Sequence, residues 1–156
     1  MKVGDKVSDL IQNNINLHSQ ARTKEEALKE LCKELEKNNV VSDKILFYQA
    51  VQEREAIGPT GMENGIAIPH GESDVVNRAA IAVLKTNDGL VWESLDNQPI
   101  KLIFLLVVPT IDRNIEHLKI LSRLSAALTH KEVQDKLLCE NDIVSFKKIL
   151  QNAGGM

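Results

Sequence analysis

Apolar residues recur at helical spacing early in the chain. Ala27, Leu28, Leu31, Cys32 and Leu35 fall on one face of a helix expected over 23–38. Thr23 and Glu26 at its start form a capping box, each side chain serving the other's free backbone amide. A second helix is expected from Ser42 or Asp43 to about Arg54, burying Ile45, Leu46, Tyr48 or Phe47, and Ala50. The pattern then breaks, because Gly58, Pro59, Gly61 and Gly65 crowd one short stretch and mark a loop. A short strand over Ile66 to Ile68 follows, then a second loop and another strand over Ala80 to Leu84. Leu102 to Val108 is an unbroken apolar run closed by Pro109, too short for a typical helix and suited to a strand covered on both faces.

Three more helical patterns close the chain, at about Asp112 to Leu128, Lys131 to Leu138 and Asp142 to Gln151. Thr129 and Glu132 read as a further capping box. Helices at both ends around a few buried strands predict an α/β fold. Its mixed central β-sheet is flanked by helices on both faces, in a single domain spanning 1–156. No repeat, low-complexity tract or proline-rich linker argues for more than one domain.

Composition narrows the function. A formal net charge of −3 over 156 residues lacks the basic footprint that neutralises nucleic-acid phosphates. Cys32 and Cys139 stand far apart without a C-x-x-C pattern, and both lie in helical stretches where a buried free thiol is expected. No apolar run approaches the roughly 20 residues of a membrane span, and the first residues lack a signal-peptide core. The expectation is a soluble, cytoplasmic protein with neither nucleic acid nor direct membrane insertion.

The chemistry concentrates on Gly65-Ile66-Ala67-Ile68-Pro69-His70-Gly71. An apolar strand ends at a proline, presents one imidazole and turns away on a glycine. Imidazole titrates near neutral pH and serves as nucleophile, base or ligand. His117 continues the apolar stripe of Leu121, Leu124 and Leu128, which places it in the core or in a cleft. Arg54 sits near the end of the second expected helix. There it is either a dipole partner, salt-bridged at the surface by Glu53 and Glu55, or a clamp for phosphate. Ser73 reads as a turn or cap residue, and His18 and His130 as exposed. No H-x-H, H-E-x-x-H, P-loop or Gly-x-Ser-x-Gly pattern is present, so no metal or cofactor is expected. A histidine that is itself the nucleophile or acceptor remains.

The run Arg54-Glu55-Ala56-Ile57-Gly58-Pro59-Thr60-Gly61, continuing to Ile68-Pro69-His70-Gly71, resembles the signature of enzyme IIA domains of the fructose/mannitol class. These are phosphocarriers of the bacterial sugar phosphotransferase system. The likeness extends through Trp92, the Leu102–Pro109 strand and the helix of His117. Glu63 departs from it, standing where the family usually has a small residue, and adds negative charge near the expected phosphate site. The resemblance implies that His70 is phosphorylated, that His117 is the second active-site histidine and that Arg54 is the active-site arginine. It further implies transfer from the phosphohistidine of HPr to His70, then to an enzyme IIB domain. The turn amides of Gly71, Glu72 and Ser73, together with His117, would supply further donors, and a backbone carbonyl would fix the His70 tautomer. Met62, Ile57 and Val75 or Val76 are candidates for an apolar docking rim. Two other readings use the same residues: a regulatory, nitrogen-type protein of this fold, and a ligand- or metal-binding module built on His70 and His117.

Overall fold

A computed structural model of the chain describes residues 6–111 and 114–153. Its helices are α1 (Val7–Ile11), α2 (Lys24–Lys37), α3 (Lys44–Ile57), α4 (Ile115–Ala127), α5 (Lys131–Cys139) and α6 (Ile143–Ala153). Its strands are β1 (Ile15–Ser19), β2 (Ile66–Ala67), β3 (His70–Ser73), β4 (Ala80–Leu90) and β5 (Ile100–Pro109). They form one mixed sheet in the order β1-β4-β5-β2, with β3 also on β5. β4 and β5 are antiparallel, whereas β1 runs parallel to β4 and both β2 and β3 run parallel to β5. The fold class is the expected one.

Alternation along the two central strands builds a core on each face. Ala82, Leu84, Leu105 and Val107 pack under α2 and α3, with Leu28, Leu35, Phe47 and Val51. Ile81, Val83, Phe104 and Leu106 face the other way, against α1, α4, α5 and α6. β5 is apolar almost throughout because it is covered on both sides. No helix among the described residues is long and apolar enough to cross a membrane.

Several local expectations change. α2 is capped as foreseen on one side, the Thr23 hydroxyl accepting from the Glu26 amide at 3.0 Å. The Glu26 carboxylate, however, reaches the Arg22 amide at 2.8 Å instead of closing the box on Thr23. α3 starts on Asp43, whose carboxylate accepts from the amides of Ile45 and Leu46. It buries Phe47 and Val51, while Ile45 and Leu46 are exposed and Tyr48 and Ala50 half-buried. The reason is Gly71. A Cβ there would stand 2.5 Å from Phe47 Cζ and 2.9 Å from Val51 Cγ2, so the bare glycine makes the niche these two side chains fill.

The second capping box does not form. His130 is the N-cap of α5, and Thr129 donates its hydroxyl to the Ala126 carbonyl at 2.7 Å. Cys32 is buried, which pushes its thiol up to about 12, but Cys139 is exposed at the last residue of α5. Asp112, expected at the start of α4, lies outside the described residues. Asn114 caps α4 instead, its side chain accepting from the His117 amide at 3.2 Å.

Candidate functional site

The expected strand end at Pro69 is an interruption. Ile66 pairs with Leu102 and His70 with Leu106, one register carried straight past the proline. The Pro69 carbonyl accepts from the Leu106 amide at 2.9 Å, so its nitrogen points the same way, toward β5, with no hydrogen to give. The ladder therefore skips a rung, and β3 begins on His70 where a loop was expected. An edge strand tolerates this. The amides of Gly71 and Ser73 turn toward β5 by the alternation of the ladder, so the expected Gly71-Glu72-Ser73 turn does not exist as a nest of donors. The amides of His70 and Glu72 point to the free edge. Ser73 does act as a turn residue, its Oγ accepting from the Val75 amide at 3.3 Å.

Register also sets where the ring goes. His70 shares the face of its partner Leu106, the face packed by α4. His117 lies in the first turn of α4, on the stripe of buried Ile120, Leu121 and Leu124. The two half-buried imidazoles thus belong to one side of the sheet. Arg54 arrives from α3, across the strand. Its Nη1 donates to the Gly58 carbonyl at 3.0 Å, and its charge acts on His70.

Burial and the neighbouring Arg54 guanidinium both hold the His70 imidazole below its usual pKa. The Ile68 backbone and the Glu55 carboxylate oppose them more weakly. Burial and Arg54 thus favour the neutral imidazole, the form that carries a free lone pair. Its Nδ1 is buried without a hydrogen bond, so no acceptor of normal geometry fixes the tautomer, although the Ile68 backbone favours the protonated form.

The flanking carboxylates do not neutralise Arg54. Glu55 instead pairs with Lys24 at 2.8 Å and accepts the Thr60 hydroxyl, with its side chain 6% exposed. The sequence offers Glu55 only as a surface partner of Arg54 and gives Thr60 no contact, whereas the two bind each other. Glu63 is exposed and is not among the charges acting on His70. Of the expected rim, Ile57 is 84% exposed, Met62 and Val75 are half-buried and Val76 is buried. His18 and His130 are exposed. Among the described residues no group of three His, Cys, Asp or Glu could hold a metal ion.

The site thus brings together a half-buried imidazole, whose neutral form is favoured, and the charge of one arginine. Residues 10–153 match the family model described as "Phosphoenolpyruvate-dependent sugar phosphotransferase system, EIIA 2". The chain belongs to that family. It is 36% identical over 134 residues to the fructose-specific EIIABC component of Bacillus subtilis, covering 85% of this chain and 21% of that protein. It thus spans about a fifth of that relative's length. A fructose-specific EIIA component of Haloferax volcanii is 36% identical over 124 residues, 80% of each chain. Among solved structures, the nitrogen regulatory protein IIA-Ntr of Neisseria meningitidis superposes with a TM-score of 0.82 at 27% identity. That match covers 92% of this chain and 98% of that one.

Proposed function

We propose that this chain is a phosphohistidine carrier that accepts a phosphoryl group on His70 from phosphorylated HPr. It then passes the group to an enzyme IIB domain during sugar uptake. The observation that carries this reading is the neutral, half-buried His70 beside Arg54 in a member of the EIIA family. With Nδ1 buried, Nε2 is the nitrogen left to a donor. Its lone pair attacks phosphorus as the phosphorus–nitrogen bond to the donor imidazole breaks, and the reverse exchange hands the group onward. The transition state is loose, with charge spread over three oxygens, so the protein's work is positioning and charge stabilisation. Arg54 has a planar fork suited to those oxygens. His117, on the same face, is a second donor. The acceptor is inferred from chemistry and from a relative whose name joins A, B and C components.

Incubation with phosphoenolpyruvate, enzyme I and HPr, followed by intact-mass measurement, tests the reading. The wild-type chain should gain one phosphate and His70→Ala none; a gain that persists in the mutant defeats it. A second reading, a phosphorylation-state signal rather than a transport step, is supported by the likeness to the Neisseria regulatory protein. Sugar-dependent loss of the phosphate in the presence of an enzyme IIB favours transport. A phosphate that no IIB removes favours signalling.

A further inference from the structure

We propose that Glu55 is a positioning residue for the phosphoryl-accepting histidine. Locked by Lys24 and Thr60, it pins the segment 58–61 that holds both Arg54 and the strand leading into His70. The proposal rests on the role assigned to His70 above.

Glu55 follows Arg54 on α3, so its side chain leaves the helix about 100° around from the guanidinium. A carboxylate that is 6% exposed needs partners, and Glu55 has two. Lys24 lies 2.8 Å away and the Thr60 hydroxyl donates to the other oxygen. Lys24 is itself fixed, its ammonium 4.6 Å from the centroid of the Trp92 ring.

Thr60 is the joint between this cluster and the site. Its carbonyl accepts from the Ile68 amide at 3.1 Å, two residues before His70. Gly61 is wedged where a Cβ would come within 2.2 Å of the Glu93 carbonyl oxygen, so the segment has one seat. Gly58, at the other end, accepts from Arg54. One short loop therefore sets the guanidinium through Gly58 and the histidine strand through Thr60. Glu55 is the side chain that clamps it.

The charges acting on the ring are Arg54 and Glu55, both from α3. Lys24 from α2 stands behind Glu55, β5 offers only apolar Leu106 at that register, and His117 from α4 is the other titratable group of the face. Glu55 thus also tempers the arginine's field.

The test compares the full-length wild type with Glu55→Gln, Thr60→Val and Thr60→Ser. It uses NMR titration of the His70 ring and rapid-quench phosphorylation by phosphorylated HPr. Glu55→Gln should move the His70 titration to lower pH, because a negative charge is lost, and slow phosphorylation about tenfold. Thr60→Val should slow it similarly while leaving the titration in place, and Thr60→Ser should restore the rate. A Glu55→Gln protein with wild-type titration and rate overturns the proposal. So does a Thr60→Val rate within twofold of wild type, which still judges the clamp if Glu55→Gln fails to fold. The titration needs no phosphoryl donor. A wild-type chain that takes no phosphate would defeat the carrier reading while the titration still reports on Glu55.

Discussion

Lys85 and Arg54 each bind backbone carbonyls at the end of a helix, and of this pair Arg54 alone is left able to do anything else. Lys85, on β4 opposite Leu102, is buried and directs its ammonium at the carbonyls of Leu137, Leu138 and Glu140 where α5 ends. An ammonium has three protons, so every donor is spent. Arg54, just before the end of α3, gives one of its five donors to Gly58 and makes no other hydrogen bond among the described residues. Both satisfy orphan carbonyls and suit the negative end of a helix dipole. The difference is surplus. A site for an anion needs donors that the fold has positioned and not consumed, and Arg54 meets that description while Lys85 does not.

That contrast predicts opposite phenotypes, and the larger should be Lys85→Met. Removing the ammonium strands three carbonyls in a buried place, at about 1–3 kcal/mol for each that water cannot reach. A net loss of about 3 kcal/mol in urea unfolding is expected, with phosphorylation of the folded protein unchanged. Arg54→Ala should do the reverse. Phosphorylation by HPr should fall about thirtyfold, near 2 kcal/mol of transition-state stabilisation. Stability should fall by no more than about 1 kcal/mol for one partly exposed hydrogen bond. Arg54→Lys should recover only part of the rate, because a point charge cannot replace the fork. Equal losses of stability in Lys85→Met and Arg54→Ala would erase the distinction.

These two residues also mark how far the chain can be read before it folds. The places of Arg54 and His117 on their helices are legible because one falls in a C-terminal turn and the other on an apolar stripe. α2 and β5 were legible because Leu28, Leu31 and Leu35, or the run from Leu102 to Val108, carry a period or an unbroken apolar character. Lys85 gave no such signal, since its partners lie more than fifty positions away in sequence. β1 was missed for a similar reason. It buries only Leu17 and Ser19, and Asn16 and Ser19 find their partner in Glu30 of α2. β3 was hidden by Pro69, which reads as a stop although the register continues through it. On α3 the expectation holds for Phe47, one of its two aromatic alternatives, and fails for Ile45 and Leu46, which are exposed. The niche at Gly71 that selects Phe47 and Val51 is a tertiary fact.

His117→Ala sharpens the comparison from the other side of the sheet. His117 comes from α4 and not from a helix end, so it tests whether a second donor matters once Arg54 is present. His70 should still take phosphate, at a rate lowered about tenfold, roughly 1.4 kcal/mol. A double mutant with Arg54→Ala that loses no more than Arg54→Ala alone would mean the two act only together. Indistinguishable rapid-quench rates for the wild type and both single mutants would remove these roles.

The smallest effect is the most direct readout of the arginine's field. His70 is held below the ordinary histidine value of 6.5, first by burial and then by Arg54. Between 6.5 and the folded value the unfolded chain binds more protons, so stability is full above 6.5 and is lost as pH falls through that window. Arg54→Ala should raise the His70 titration toward the ordinary value and narrow the window, although burial keeps some of it. Lys85→Met should leave the titration where it is, because that ammonium is not among the charges acting on the ring. Ring chemical shifts of His70 followed from pH 8 to 5 in the three proteins measure this. A shift in Lys85→Met as large as that in Arg54→Ala would mean that the field at His70 belongs to the whole fold and not to the Arg54 guanidinium.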